Sequence, residues 1–220
     1  MKKIYCISFL CISCTQKPNI SSSNTFKAEN VTRKQSQEDI TAEKSKSAKP
    51  KLNSEEAKKI ISETAKEVTL AISNLNMDKL ASFIHPEKGI RFSQYGIVDK
   101  DCDLVFNALQ VKSFLKDDKT YTWGVYDGSG EPIELTPEKY FYKFVHVPDF
   151  SKAEKVGYNE IITESGYTEN QFLVYPDSII VEYYFTGIEY PQEWESVRIV
   201  FEEYQGNWYI VGIIHNQWTI

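Results

Sequence analysis

Histidine and carboxylate side chains are the groups of this chain that could carry acid–base chemistry, and the sequence holds only three histidines. His215 lies in the last predicted strand, where strict alternation puts it on one face with Tyr209, Val211 and Ile213. Arg198 of the neighbouring strand is expected to approach it. With a carboxylate such as Asp127 as its partner, His215 would act as the base of a hydrolase or an isomerase. A buried, hydrogen-bonded core histidine is the preferred interpretation, so no catalytic residue is assigned and this enzyme is the alternative. The alternative requires a carboxylate within about 3 Å of His215, facing an open cavity.

The sequence offers no cluster of residues that predicts a metal or a cofactor. Residues 127–131 place oxygen ligands at alternate positions, as calcium loops do, yet Pro132 stands where such a loop needs glycine. Residues 124–130 are rich in glycine, but they lack the lysine and the hydroxyl of a phosphate-binding loop. A hairpin turn explains both segments, and we expect neither a metal site nor a cofactor.

Large aromatic rings favour binding over catalysis. The chain holds 4 Trp, 14 Tyr and 12 Phe, and nearly all of them follow residue 52. We predict Trp123, Trp194 and Trp218 as the lining of a pocket for a small apolar ligand, while a protein bound on the sheet is the other candidate partner. A third alternative is a structural protein whose interior is packed shut. A ring-lined pocket larger than about 300 Å³ would exclude it.

The first fourteen residues predict export. Lys2 and Lys3 precede an apolar run over residues 4–12, and Ser13 and Cys14 follow it. A charged start, a short apolar run and a small residue before the cleavage site are typical of a secretory signal. The run is too short to span a bilayer as a helix. Residues 1–14 are therefore predicted to be a signal peptide.

The end of this signal resembles the lipobox of bacterial lipoproteins. In residues 10–14, the sequence Leu-Cys-Ile-Ser-Cys, Cys11 stands where that family usually has leucine. The resemblance implies that Cys14 is lipidated after cleavage and that the chain is anchored in the bacterial cell envelope. Because Thr15 is not the aspartate that retains many lipoproteins at the inner membrane, the outer membrane is favoured. An ordinary secretory signal and an uncleaved apolar N-terminus remain as alternatives.

Composition and charge divide the rest of the chain at residue 52. Residues 15–52 are polar, contain one aromatic residue and hold eight basic residues against four acidic ones, which predicts a disordered basic spacer. Residues 53–220 hold fifteen basic residues against 27 acidic ones and are predicted to form a single domain. Such an acidic domain argues against nucleic acid as a partner. The expected partners are the membrane, through the lipid anchor, and a small apolar ligand or an envelope protein.

A capping box predicts the first helix of this domain. Asn53 is the cap, and Glu56 three residues later completes the box. Apolar residues then recur at helical spacing towards a helix end near Asn74, and they are Ala57, Ile60, Ile61, Thr64, Val68, Ala71, Ile72 and Leu75. A second, shorter helix is predicted after Asn76 and ends before Pro86.

Most of the remaining domain is predicted to be strand. The predicted strands cover Gly89–Tyr95, the start of Leu104–Leu115 before a helical turn, Thr120–Tyr126, Pro132–Leu135, Ser178–Thr186, Glu193–Tyr204 and Asn207–Trp218. Thr136 and Pro137 begin a helix that runs to about Val145. The last two strands form a hairpin around Gln205 and Gly206. Since the last strand is apolar on both faces, we predict that it is central in the sheet.

This order of elements gives an α+β fold in which N-terminal helices pack on a curved antiparallel sheet. It resembles the NTF2-like cone of nuclear transport factor 2, scytalone dehydratase, ketosteroid isomerase and the SnoaL-type cyclases. The chain also resembles bacterial lipoproteins of unassigned activity over residues 83–89 and 208–215. NTF2-like enzymes place acid and base groups inside the cone. No spacing in this sequence matches their carboxylate base, so no catalytic residue is carried over.

Overall fold

The computed structural model describes residues 52–163, 169–187 and 192–218 of the 220-residue chain. The predicted signal peptide with Cys14, and the predicted spacer up to residue 51, lie outside the described residues and stay predictions. All the described helices and strands belong to one compact unit, Ser47–Ile220. Because this unit contains its own apolar core, we expect it to fold without the residues that precede it.

Helix α1 (Ser54–Ser73) begins and ends as the sequence predicts. Asn53 and Glu56 form the complete capping box, and Asn74 follows the last turn. The buried stripe consists of Ala57, Ile61, Ala65, Val68, Thr69, Ala71 and Ile72. Ile60 was predicted on this stripe and is instead 43% exposed, because the buried line runs through Ala57, Ile61 and Ala65 at a spacing of four.

The other helices are short, and their caps match the sequence. They are α2 (Met77–Ser82), α3 (Ala108–Lys112), α4 (Pro137–Phe144) and α5 (Gln171–Val174), with 3-10 turns at Phe114–Lys116 and Phe150–Lys152. The side chain of Asn76 caps α2 and that of Thr136 caps α4. The turn α5 was not predicted, because four residues are too few for a helical period to show.

A curved six-stranded sheet and a separate two-stranded sheet complete the α+β fold. The strands are β1 (Ile90–Ser93), β2 (Leu104–Phe106), β3 (Tyr121–Val125), β4 (Pro132–Leu135), β5 (Lys155–Tyr158), β6 (Ile179–Thr186), β7 (Trp194–Tyr204) and β8 (Asn207–Trp218). The large sheet has the order β2-β1-β8-β7-β6-β5, while β3 pairs with β4. The prediction that β8 is central is confirmed.

One strand pair corrects the prediction of an antiparallel sheet, because β1 runs parallel to β8. The other pairs in the large sheet are antiparallel. A tight hairpin forces two strands to run antiparallel, but β1 and β8 are far apart in the chain and have no such connection. Their relative direction is therefore set by packing of the whole domain, which local patterns do not reveal.

Strand β8 contains a bulge that changes the faces of its second half. Phe201 of β7 pairs with Ile210 of β8, but the next pair joins Val200 to Gly212, so Val211 is an extra residue. A single extra residue moves every later side chain to the opposite face relative to the partner strand.

The bulge overturns two predictions about His215. Val211 was expected on the face of His215, but it packs with Ile214 in a cluster on the other face. Arg198 was expected near His215. In the observed register His215 lies opposite Val197, whereas Arg198 lies opposite Ile214 on the other face.

Two apolar clusters cover the two faces of the large sheet. The larger one joins the buried stripe of α1 to residues of α4 and of β1, β6, β7 and β8. The smaller one lies on the other face and consists of Val98, Phe172, Ile180, Val200, Val211 and Ile214. Strands β7 and β8 are thus buried on both sides, which explains why they are apolar on both faces.

Candidate ligand-binding groove

Aromatic side chains from α4, β1, β2 and β3 pack against one another in the larger cluster. Trp123 is 1% exposed, its ring stacks on Tyr140 with the centroids 3.6 Å apart, and its Nε1 donates a hydrogen bond to the carbonyl oxygen of Leu135. Phe92 and Phe106 pack against the same indole. Burial raises the pKa of Tyr140 well above its usual range. Trp123, predicted to line a pocket, therefore lies in the packed core.

A surface groove of about 710 Å³ lies at the ends of β6, β7 and β8, beside the loop that follows α4. We call it the end groove. Its apolar lining comes from Val147, Pro148, Phe185, Trp194 and Trp218. This volume falls within the range of about 300–1,000 Å³ that is common for small-molecule sites.

Two of the three predicted tryptophans meet at this groove. Trp194 and Trp218 are directly opposite each other in the pairing of β7 with β8. Trp218 is 48% exposed, and Trp194 is half-buried with its ring 6.1 Å from that of Tyr184. A ligand could contact both indoles without any opening of the core around Trp123.

Charged side chains around the end groove are mainly acidic. Asp149, Glu154, Glu193 and Glu195 line it together with one lysine, Lys152. Hydrogen bonds from the hydroxyl and the amide of Ser151 lower the pKa of Asp149, which keeps this carboxyl ionised. The groove therefore combines apolar walls with an excess of negative charge.

His215 lies buried behind this acidic lining. The ring is edge-on to Phe144, and Nδ1 lies 3.2 Å from the carbonyl oxygen of Gln94. Because a carbonyl only accepts hydrogen bonds, Nδ1 carries the hydrogen in this contact. The other nitrogen, Nε2, lies 3.9 Å from Oε2 of Glu195 and has no hydrogen-bond partner among the described residues. His215 is thus a core histidine with one unpartnered nitrogen beside Glu195, which itself lines the groove.

The carboxylate beside His215 is Glu195 and not the predicted Asp127. Asp127 is exposed in the turn between β3 and β4, where its Oδ1 accepts a hydrogen bond from the amide of Gly128. Glu195 was missed because the bulge sets its register against β8. Once the bulge is known, Glu195 and His215 are diagonal neighbours on one face, two positions apart in the ladder.

A buried ion cluster on the other face of the sheet was also missed. Nη2 of Arg198 donates hydrogen bonds to Thr163 and to Glu169, both at 2.7 Å, and forms an ion pair with Glu182 at 2.9 Å. The hydroxyl of Thr163 in turn donates to Glu182. Burial alone would lower the pKa of Arg198, but the negative charges of Glu182 and Glu169 raise it above its ordinary value. The cluster holds Thr163 and Glu169 against this face of the sheet.

A second groove, of about 500 Å³, lies on the face of the smaller cluster. Two of the three cations that line it are engaged. Lys88 forms an ion pair with Glu202, and Nη1 of Arg91 donates to the backbone carbonyls of Asp99, Lys100 and Asp103.

In the part of the chain that the structure describes, no group of three or more histidine, cysteine, aspartate or glutamate side chains could hold a metal ion. Nor does any helix there have the length and apolarity needed to cross a membrane.

Comparison with known proteins adds little to this geometry. No protein family matches the sequence, and no curated protein matches it. Among solved structures, the chain is similar to one described as a calcium/calmodulin dependent protein kinase II association domain from Xanthomonas campestris. The similarity has 12% identity and a TM-score of 0.31, and it covers 72% of this chain and 85% of that one.

Proposed function

We propose that this chain is a binding protein whose end groove takes a small apolar ligand. The observation that carries the proposal is the pair of indoles, Trp194 and Trp218, at the wall of a 710 Å³ groove. The interior around Trp123 is filled, so the groove is where apolar surface is available to a ligand. Large rings bury much apolar area on contact, which is the main favourable contribution to binding of this kind.

The hydrolase or isomerase alternative has weaker support. Asp127 and His215 share no hydrogen bond or ion pair, and the carboxylate beside His215 is 3.9 Å from it. That separation exceeds the reach of about 2.6–3.2 Å expected between a base and its partner. Glu195 is also 53% exposed, so its charge is well hydrated.

We also propose that the domain is an NTF2-like cone. The supporting observation is the order of elements, in which α1 and α2 come first and the long strands β6, β7 and β8 come last. The helix α1 packs on one face of the curved sheet, as a cone requires. The end groove lies where the long strands of such a cone would end.

The binding role can be tested with N-phenyl-1-naphthylamine, an uncharged apolar fluorophore, titrated into the unit Ser47–Ile220. We expect saturable binding, and we expect Trp194→Ala and Trp218→Ala each to weaken it about tenfold, because each change removes a ring worth roughly 1–2 kcal/mol of contact. Probe emission gives the dissociation constant. Trp208→Ala, at the opposite end of β8, is the matched control and should leave the constant unchanged. Equal affinity of all four proteins would refute the assignment of the groove.

The proposed location is a membrane surface of the bacterial envelope, reached through a lipid on Cys14. Its support is the charged, apolar and small-residue pattern of residues 2–14. In a bacterial host we expect the mature chain to begin at Cys14 and to carry the mass of acyl chains, and Cys14→Ser to lose that mass. Mass spectrometry of membrane fractions measures it. Cys11→Ser is the control and should keep the acyl mass, whereas an unchanged mass in Cys14→Ser would contradict the anchor.

A further inference from the structure

We infer that the ligand of the end groove is an organic cation, an apolar molecule with a protonated amine whose N–H groups bind Glu195 beside His215. The inference rests on the proposed binding function and adds the chemical class of the ligand. Two features of the groove support it, its charge and its indole pair, and so does the unpartnered nitrogen of His215 beside Glu195.

The charge of the groove favours a cation. Carboxylates outnumber lysine in its lining, and the hydrogen bonds from Ser151 keep Asp149 ionised. The whole sequence from residue 53 onward is acidic, with 27 acidic and fifteen basic residues. Apolar clefts with charge of one sign attract ligands of the opposite sign, since their low-dielectric walls focus the field.

The indole pair suits the same ligand. The face of a tryptophan ring attracts a cation within about 6 Å of its centroid, and tryptophan is the best of the aromatic residues for this contact. Elsewhere in the described chain lysines lie over aromatic rings, as Lys155 does over Tyr184 at 5.3 Å. The cation–π pairs of the described residues include none on Trp194 or Trp218. Trp218 is 48% exposed, so its indole offers ring surface to a ligand.

The unpartnered nitrogen of His215 indicates a hydrogen-bond donor. Since Nδ1 donates to Gln94, Nε2 of the neutral ring is an acceptor. It lies 3.9 Å from Oε2 of Glu195, which is an acceptor too, and the His215 side chain is 3% exposed. Two adjacent acceptors without a donor between them are unfavourable when one is buried. An ammonium group donates several hydrogen bonds and accepts none, so one bound to Oε2 of Glu195 would supply the donor that this pair lacks.

The test is a titration of the unit Ser47–Ile220 with four probes that share one alkyl chain: octylammonium, octyltrimethylammonium, octanol and octanoate. Tryptophan emission and calorimetry at pH 7 report the affinities. Octylammonium, which keeps its proton at this pH as lysine does, should bind at least tenfold tighter than octanol, and octanoate should bind weakest. Octyltrimethylammonium keeps the charge but lacks N–H groups, and it should bind several-fold more weakly than octylammonium.

The outcomes separate this inference from the function on which it rests. If octanol binds as tightly as octylammonium, the inference of a cationic ligand is refuted, while the proposal that the groove binds an apolar ligand is retained. Equal binding of the two ammonium probes refutes the hydrogen bond to Glu195 beside His215. If no probe binds and N-phenyl-1-naphthylamine does not bind either, the groove itself is not a ligand site.

A charge-neutralising variant gives the second arm. Glu195→Gln should weaken the binding of octylammonium about tenfold and leave the binding of octanol unchanged. Because Glu195 is 53% exposed, the variant should fold normally. Glu203→Gln is the matched control, since it makes the same change on β7 about 26 Å away along the strand. It should alter neither affinity. Unchanged octylammonium affinity in Glu195→Gln would overturn the inference.

Discussion

The variant Arg198→Met should unfold with a free energy about 3–5 kcal/mol below that of the wild-type protein. Arg198 is fully buried, and it is bonded to Thr163, Glu169 and Glu182. Methionine fills much of the same space but leaves two carboxylates under the sheet without their cation. Urea unfolding of the unit Ser47–Ile220, followed by circular dichroism, measures the loss.

The triple variant Arg198→Met, Glu169→Gln, Glu182→Gln is the control for this result. It removes the carboxylate charges of Glu169 and Glu182 together with the arginine, so most of the lost stability should return. If the single variant loses less than about 1 kcal/mol, the cluster is better hydrated than its burial indicates. If the triple variant is no more stable than the single one, the loss comes from packing and not from unpaired charge.

Trp123→Ala should destabilise the protein by about 3–5 kcal/mol, the usual cost of removing a large aromatic side chain from a core. The change leaves a cavity against Tyr140 and removes the hydrogen bond to Leu135. Trp218→Ala makes the same chemical change at a position that is 48% exposed and should cost less than about 1 kcal/mol. Urea midpoints of the two variants give the comparison.

This pair of variants also separates packing from binding. Trp123→Ala should change stability strongly and probe affinity little, while Trp218→Ala should do the reverse. A mild loss of stability in Trp123→Ala, together with weakened binding of N-phenyl-1-naphthylamine, would mean that the core opens to admit ligand. The assignment of the ligand to the end groove would then be wrong.

Local signals in the sequence were sufficient for most helices and strands. The capping box of Asn53 and Glu56 marks the start of α1, and Thr136 with Pro137 marks that of α4. Both signals act within one turn of helix, so no knowledge of the rest of the fold is needed. The long strands at the end of the domain were likewise predicted because their apolar residues run without interruption.

The missed features depend on contacts between distant residues. Gly212 beside Val211 is the one local sign of a bulge, and the single extra residue decides which face of the sheet Arg198 and His215 occupy. The ion cluster joins Thr163, Glu169 and Arg198, which lie up to 35 positions apart. One signal was available, since a lone arginine inside a strand that is apolar on both faces must find buried partners.

The candidate site was predicted only in part, because some of its residues are positioned by contacts between distant parts of the chain. Trp194 and Trp218 stand near the open end of a hairpin that follows from the turn at Gln205 and Gly206, and the bulge then brings the two residues directly opposite each other. The position of Glu195 beside His215 also depends on the bulge, and the alternation of apolar residues along β8 does not reveal that bulge. Trp123 was grouped with them because ring content alone does not distinguish a core from a pocket wall.

The position of β8 sets the order in which this domain can assemble. The middle strand of the large sheet is synthesised after all its neighbours, and the hydrogen-bond pair of Gln94 and His215 spans 121 positions. Until β8 has emerged, β1 lacks its parallel neighbour and β7 lacks half of its ladder. The two parts of the large sheet, β2-β1 and β7-β6-β5, can therefore join only after β8 has been synthesised, so the sheet is completed late.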